Sequence, residues 1–466
     1  MTPATLRIPE ELLDRYATAA PRYTSYPTAV DWDGRVGPED LPPALERAAV
    51  KDDPCAVYVH LPFCEHLCLF CGCNMKVTHD RRQIDDYLDH LVREFEAVGA
   101  TGFGRRPVTQ YHWGGGTPTY LDLKQIDRLQ AAFSKVFTFA HDAEVAVEVD
   151  PRVTFPEQLR LLASHGFNRL SLGLQDLDPA VQRAVRRIQP LEMTRAVVEA
   201  GREAGFTSVN VDLMYGLPHQ TEAGFLETVA RTIEDLRPER VALFHYAHVP
   251  WLKKHQAALP METAPDSLEK IRIFTRAVEA FTAAGYEYLG LDHFALPDDE
   301  LARARRDRTL QRNFMGYGTR AGHDLLGLGV SAIGEVGGVF FQNHRDLPQW
   351  KEAVRRTGFG VLRGHRSSAD DLLRRDIIMR LMCHGIVVKD EIESMHGVAF
   401  DETFTDELRE LEPLQRDGLV VLREEAIELT PLGQVFMRNV AVVFDRYFRE
   451  RRRSGADGEG TFSRTI

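Results

Sequence analysis

Between residues 55 and 244 short apolar, β-branched runs alternate with segments whose apolar positions recur every three to four residues. Strands are predicted over 55–59, 108–112, 144–148, 169–173, 208–212 and 240–244. Between the first two, Ile84, Tyr87, Leu88, Leu91, Val92, Phe95 and Val98 fall on one face of a helix. Thr154 and Glu157, with Pro156 between them, predict a capped helix start before LRLLASHG. This alternation is that of an α/β fold, a parallel sheet wrapped by helices. A series of this size closes fully or partly into a (β/α) barrel, with ligands at the carboxyl ends of its strands.

The exits of the predicted strands fit that expectation: HLPFCEHLCLFCGC, WGGGTPT, VDP, LQD, LMYGLP and HYAHVP. Each exit carries Gly, Pro or polar chemistry, so one rim is decorated six times. After about residue 370 the pattern changes to two or three helices, a hairpin-like LVVLREEAIELT and a last helix ending near Phe448. The predicted organisation is an N-terminal extension over 1–50, a barrel domain over 51–365, a mostly helical, winged-helix-like domain over 366–450 and a tail over 451–466.

Composition narrows the function classes. The chain has 466 residues, 44% of them hydrophobic, enough for a large core. Its opening stretch lacks a signal-like apolar region, and no segment approaches ~18 consecutive apolar residues, so a cytoplasmic protein without a membrane span is expected. The net charge of -12 discourages nucleic-acid binding. A winged helix that bound DNA would need a basic face, yet residues 371–450 hold 10 basic against 17 acidic side chains. No long heptad or exposed apolar helix stands out, and a monomer is expected.

Six cysteines occur, four of them within ten residues. Crowding of this kind in a chain without a signal peptide points to metal or catalysis rather than to disulfides. Cys55 and Cys383 stand alone in apolar surroundings and read as inert core residues. Cys64, Cys68 and Cys71 form C-x3-C-x2-C directly after the first strand, and Cys73 comes next. Three thiolates on one loop can hold three irons of a [4Fe-4S] cluster and leave the fourth open. The alternative is a zinc site that adds His60 or His66. Gly114, Gly115 and Gly116 at the neighbouring strand exit favour the first reading, because a triple glycine lets backbone approach a cofactor without side-chain obstruction.

The loop and the glycines together resemble the radical S-adenosylmethionine superfamily. More specifically, PRYTSYPTA at 21–29, YVHLPFCEHLCLFCGCN at 58–74, HWGGGTPTYL, VEVDPR, DLMYGLPHQT, YAH, RNFMGY, LLGLGVSAI and the terminal FSRTI are similar to the oxygen-independent coproporphyrinogen III oxidase family. The resemblance runs from residue 21 to the end. It implies oxidative decarboxylation of two propionates of coproporphyrinogen III to vinyls, giving protoporphyrinogen IX in haem biosynthesis. Hydrogen abstraction would be by a 5'-deoxyadenosyl radical, with two molecules of S-adenosylmethionine consumed and an electron donor and acceptor that the sequence does not identify.

Carried over residue by residue, the resemblance places S-adenosylmethionine against Tyr58, Phe70, Gly115, Gly116, Thr117, Glu148, Gln175, Arg187, Asp212, Ala247 and Ile333. Cys64, Cys68 and Cys71 would ligate the cluster, and Cys73 would shape the second ligand's pocket. Met315 stands where the resemblance implies a glutamine, so no polar contact is carried over there. A haem-binding chaperone on the same scaffold is the nearest rival. Its relatives lack a cysteine equivalent to Cys73 and the YTSYP segment, and this chain has both.

Two expectations concern the substrate. Tyr23 and Tyr26 are read as part of a segment that folds over the barrel mouth, excludes water and touches substrate. Four propionates also need cations. The densest basic stretch, Arg303, Arg305, Arg306, Arg308 and Arg312, leads into RNFMGY, which favours Arg312. The competing reading pairs these arginines with Asp298, Asp299 and Glu300 on a solvated loop.

Overall fold

The computed structural model describes residues 8–454 apart from residues 17 and 321. All six predicted strands form, each longer than its apolar run: β1 Cys55–Leu61, β2 Pro107–Gly115, β3 Thr138–Val149, β4 Arg169–Gln175, β5 Ser208–Tyr215 and β6 Arg240–His245. Six further strands complete one sheet: β7 Glu287–Gly290, β8 His293–Ala295, β9 Asp324–Leu328, β10 Ile333–Val336, β11 Val339–Asn343 and β12 Val361–Arg366. The sheet order is β12-β11-β10-β9-β1-β2-β3-β4-β5-β6-β8-β7. From β9 to β6 every pairing is parallel, whereas both flanks pair antiparallel. Among the described residues β12 and β7 do not pair, so the barrel is partial and open.

Alternation along the strands assigns the two faces of this sheet. In β4, Leu170, Leu172 and Leu174 are buried under the helices, while Arg169, Ser171 and Gly173 are only half-buried. In β5 the same alternation leaves Asn210 and Asp212 half-buried. The apolar face therefore packs outward and the barrel interior is polar. The helix Arg81–Ala100 buries Ile84, Tyr87, Leu88, Leu91, Phe95 and Val98 against the sheet, with Val92 at the edge of that face. The same helix buries Glu94, whose carboxylate accepts from the backbone N–H groups of Gly329 (2.7 Å) and Gly360 (2.8 Å) and from Trp350 Nε1 (3.2 Å). One acidic side chain thus ties the helix to the antiparallel flank.

Three boundaries differ from the sequence reading. The helix Pro156–Ser164 begins one residue later than Thr154 would set it: Gln158 Oε1 accepts from the N–H of its N-cap, Phe155 (2.9 Å). The Thr154 hydroxyl is committed elsewhere, to Asp150 O (2.7 Å). The last helix runs over Arg446–Ser454, past Phe448 and across the predicted tail boundary. Arg451 and Arg452 lie over the Phe448 ring and Arg451 pairs with Asp31, so the basic run is held on the fold. The terminal FSRTI lies outside the described residues.

Among the described residues there are two large apolar cores and a small third cluster of Leu69, Val181, Val185, Leu217, Tyr246 and Leu259 behind the cysteine loop. The first fills the space between sheet and helices and includes Leu41, Ala44, Leu45 and Ala48 of the helix Leu41–Ala49. The second is built from the C-terminal helices, the hairpin Val420–Leu422 with Ala426–Leu429, and Leu12, Leu13, Tyr16, Tyr23 and Tyr26 from the N-terminal segment. Cys55 and Cys383 are buried in the first and second core respectively. No helix among the described residues is long and apolar enough to cross a membrane.

Candidate active site

The strand exits converge on three adjoining cavities inside the barrel. The first, of about 150 Å³, is lined by Cys64, Cys68, Cys71, Cys73, Phe70, Gly115, Gly116, Thr117, Glu148, Gln175, Arg187 and Asp212. The second, of about 200 Å³, lies deeper, between His112, Glu148, Asp212, Phe244, His293, Met315 and Tyr317. The third, of about 290 Å³, is bounded by Tyr58, His60, Cys73, Glu148, Met315 and Ile333. Glu148 lines all three and Met315 two of them. Of the expected cofactor contacts, eight thus gather around the first cavity, Tyr58 and Ile333 line the third, and Ala247 is exposed and lines none.

The cysteine loop is pinned by neighbours far away in sequence. Leu69 N–H donates to Val185 O (3.0 Å), Gln256 Nε2 to Phe70 O (3.0 Å) and Lys253 Nζ to Cys73 O (2.7 Å), and His255 Nε2 lies 2.8 Å from Cys71 O. Two of the sulfurs receive donors: the Thr117 hydroxyl points at Cys64 Sγ (3.4 Å) and Arg152 Nη2 at Cys68 Sγ (3.2 Å). Burial pushes the Cys64 thiol up to about 12, with the Thr117 donor opposing the rise. Glycine is required next to the loop. Gly115 has φ +117°, and a Cβ there would stand 2.5 Å from the His60 ring; one on Gly116 would stand 2.7 Å from the Pro62 carbonyl.

Electrostatics set the carboxylates apart. Burial opposes ionisation of Glu148, but His112 Nε2 at 3.1 Å and the Gly115 N–H at 3.0 Å outweigh it and hold the group below the ordinary carboxylate range. Asp212 goes the other way: burial and the neighbouring Glu148 charge push it up to about 7, against a hydrogen bond from Asn210 Nδ2 (2.7 Å). Asp150 is held near 2 despite burial, because Arg187 Nη1 (3.0 Å) and Arg152 Nη2 (2.6 Å) both reach its Oδ2. Arg187, read as a partner for a cofactor carboxylate, is therefore already paired within the chain. The VDPR motif that supplies Asp150 and Arg152 was visible, but their ion pair with Arg187 was not. Gln175 sits in the left-handed region (φ 64°), and its Oε1 is buried without a hydrogen-bond partner on the wall of the first cavity.

The comparisons with known proteins agree with this geometry. Residues 58–232 match the family model of the Radical SAM superfamily and residues 367–436 that of the HemN C-terminal domain. An oxygen-independent coproporphyrinogen III oxidase from Synechocystis sp. is 40% identical over 99% of both chains, and that of Salmonella typhimurium is 43% identical over 95% of this chain and 96% of its own. The chain belongs to the oxygen-independent coproporphyrinogen III oxidase family. The solved radical SAM coproporphyrinogen III oxidase (HemN) of Escherichia coli superposes with a TM-score of 0.90 at 41% identity, covering 95% of this chain and all of the other. Membership brings a [4Fe-4S] cluster and S-adenosylmethionine. The residues present fit both, with four thiols, Gly115 and Gly116 on the wall of one cavity and the open carbonyl of Gln175 facing it.

The tyrosine expectation needs correction. Tyr23 and Tyr26 are 1% and 0% exposed and belong to the second core. Tyr23 donates to Asp445 Oδ2 (3.0 Å), and the Tyr26 hydroxyl accepts from the Arg446 N–H (3.1 Å). Both hydroxyls are satisfied by the C-terminal domain, so the rings serve packing and line none of the three cavities. The solvated-loop reading of the arginine run also changes. Asp299 pairs with Arg240 (2.9 Å), and Glu300 with Arg169 (2.5 Å) and Arg240 (2.9 Å), closing the bottom of the barrel. Arg312, by contrast, is buried, with its Nη1 free of any hydrogen-bond partner.

Proposed function

We propose that this chain converts coproporphyrinogen III to protoporphyrinogen IX without oxygen, turning two propionates into vinyl groups. Each propionate loses CO2, one hydrogen atom and one electron. Cys64, Cys68 and Cys71 would hold the cluster, and Cys73, which lines both the first and the third cavity, would stand between the two cofactor places. When bound, the cluster and S-adenosylmethionine supply the electron and the hydrogen-abstracting species. The chain's part is binding and exclusion: Glu148 and Asp212 present acceptors to a cationic cofactor, Gly115 and Gly116 let it approach the backbone, and Tyr58 and Ile333 bound a place for a second molecule. Adjoining cavities that share Glu148 support the use of two molecules of S-adenosylmethionine. Free, clustered thiols support a cytoplasmic setting, with a monomer as the working unit and a donor and an acceptor of electrons drawn from outside the chain.

The meeting of the thiol loop, the glycine cradle and Glu148 around one cavity carries the reading. Anaerobic reconstitution with iron and sulfide, then addition of S-adenosylmethionine, a reductant and coproporphyrinogen III, should yield protoporphyrin after air oxidation. A protein that cleaves the cofactor but leaves coproporphyrinogen unchanged, or that retains added haem without turnover, would overturn the proposal.

A further inference from the structure

Three arginines from distant parts of the chain meet beside the deep cavity. Arg22 comes from the N-terminal segment, Arg312 from the hairpin Gln311–Asn313 with Gly316–Gly318, and Arg438 from the helix Met437–Ala441. Arg438 Nε donates to Pro21 O (3.1 Å), its Nη2 also reaches Ala20 O, and Arg312 Nε donates to Arg22 O (3.4 Å). The hairpin and the helix thus both hold the N-terminal segment in place.

The aromatic wall of the deep cavity carries two of these guanidinium groups. Arg22 lies 5.9 Å from the centroid of Phe244 and Arg312 4.8 Å from that of Tyr317, and both rings line the cavity. His293 lines it between them, 5.0 Å from Tyr317. Its Nδ1 is buried without a hydrogen-bond partner. Burial and the three cations Arg312, Arg22 and Arg240 hold His293 well below its ordinary range, so it is neutral.

Arg22 pairs with Asp292, but Arg312 keeps an unpartnered, buried Nη1. Like charges this close raise one another's energy: burial, Arg438 and Arg312 together lower Arg22 to about 9, and burial, with Arg312 among the opposing charges, lowers Arg438 to about 10. In a chain of net charge -12 such an accumulation is not a by-product of composition. Arg312 and Arg438 are buried and Arg22 half-buried, and cations gathered this densely are stable when an anion completes them.

We propose that Arg22, Arg312 and Arg438 form a carboxylate-binding subsite that takes a propionate of the tetrapyrrole substrate at the end of the barrel away from the cysteine loop. This rests on the reading of coproporphyrinogen III as substrate. The planar fork of Arg312 is the principal ligand, because its free Nη1 has no other use; Arg22 and Arg438 add charge and fix the N-terminal segment that closes the subsite. The PRYTSYP motif then matters at the substrate for its arginine, while its tyrosines lock the segment into the C-terminal core.

The test titrates the reconstituted holoenzyme with coproporphyrin III, a stable tetracarboxylate, and with its tetramethyl ester, monitored by porphyrin fluorescence. The wild type should prefer the acid. In Arg312→Gln acid binding should weaken by about 10- to 150-fold, as for loss of a charge-assisted hydrogen bond. Arg22→Gln and Arg438→Gln should weaken it less, and Arg312→Lys should restore part of it. Cluster absorbance and substrate-free cleavage of S-adenosylmethionine should stay at the wild-type level. An unchanged acid-to-ester ratio in Arg312→Gln and Arg22→Gln sinks the subsite, as does equal weakening of acid and ester, which marks a packing role. Turnover of coproporphyrinogen III by the wild type is assayed alongside. A wild type that makes no protoporphyrinogen overturns the proposed function, whereas normal turnover with an unchanged ratio overturns the arginine subsite alone.

Discussion

The two ends of the barrel interior differ in which charged groups stand without a full set of partners. At the cysteine end Glu148, Asp150 and Asp212 stand beside four thiols, with Arg152 and Arg187 both drawn to Asp150. At the far end Arg22 lies over Phe244 and Arg312 over Tyr317, with Arg438 adding its charge beside Arg22 and Asp292 as counter-ion to Arg22. A cationic cofactor and a polyanionic substrate can thus sort themselves between adjoining cavities. A low-dielectric wall makes each pole more selective than the same charges would be in water. The acidic pole is assembled from strand exits of one parallel sheet, whereas the basic pole needs the N-terminal segment, a hairpin and a C-terminal helix. The acidic pole should therefore survive losses of tertiary packing that abolish the basic one.

The largest effect should come from breaking the acidic pole at its metal ligands. Alanine at Cys64, Cys68 or Cys71 should each abolish the broad cluster absorbance near 400 nm (roughly, the usual region) after reconstitution, while Cys73→Ala keeps it. Loss in Cys73→Ala equal to that in Cys68→Ala would mean that a different set of thiols holds the cluster. Next in size, Tyr23→Ala should cost about 3–5 kcal/mol in thermal or denaturant unfolding, because it empties a fully buried aromatic site in the second core and removes the hydroxyl donor from Asp445 Oδ2. Deleting residues 1–30 should be worse, removing Tyr23, Tyr26 and Arg22 together. A truncated chain with wild-type stability and substrate affinity would break the link between this segment and the basic pole.

A smaller effect sharpens the comparison through pH. Asp212 is raised to about 7, above its unfolded value near 4, so its contribution to stability is full below pH 4 and is lost as pH rises through 7. Asp212→Asn should accordingly gain stability relative to wild type between pH 4 and 8, by at most about 4 kcal/mol in the cofactor-free protein. A pH-independent difference would show that Asp212 is ionised throughout. Smallest of all, Met315→Gln should change porphyrin affinity by about 0.5 kcal/mol or less, since Met315 borders open cavities where either side chain fits. A tenfold change would give this position a polar role that methionine has removed.

The legibility of these features depends on their span in the chain. The cysteine loop and Gly114–Gly115–Gly116 are local words whose chemistry is complete within a few residues, and the structure puts them on one cavity wall. Six of the seven parallel strands were legible because each is a run of about five residues, apolar or alternating, between helical patterns, whereas β9 follows no helical segment that marks it. The antiparallel flanks were not: β7, β8 and β10 are three or four residues long, too short for periodicity, and their pairing is with partners that the sequence does not mark. Glu94 reads as a helix-surface acid, and only the fold shows it buried among the Gly329, Gly360 and Trp350 donors and raised to about 7 by burial.

By itself the sequence determined the barrel class, the thiol loop with its glycine neighbour, and the direction in which the strand exits face. Each of these depends on short-range sterics and on a period repeated along the chain. The tertiary structure alone decided that the tyrosines of the N-terminal segment pack into the C-terminal core, that Arg187 answers Asp150, and that Arg22 and Arg438, 416 positions apart, share one pole with Arg312. Such pairings are fixed by loop closure and by the cost of leaving charge and aromatic surface unmatched. Neither quantity is written at any single position of the chain.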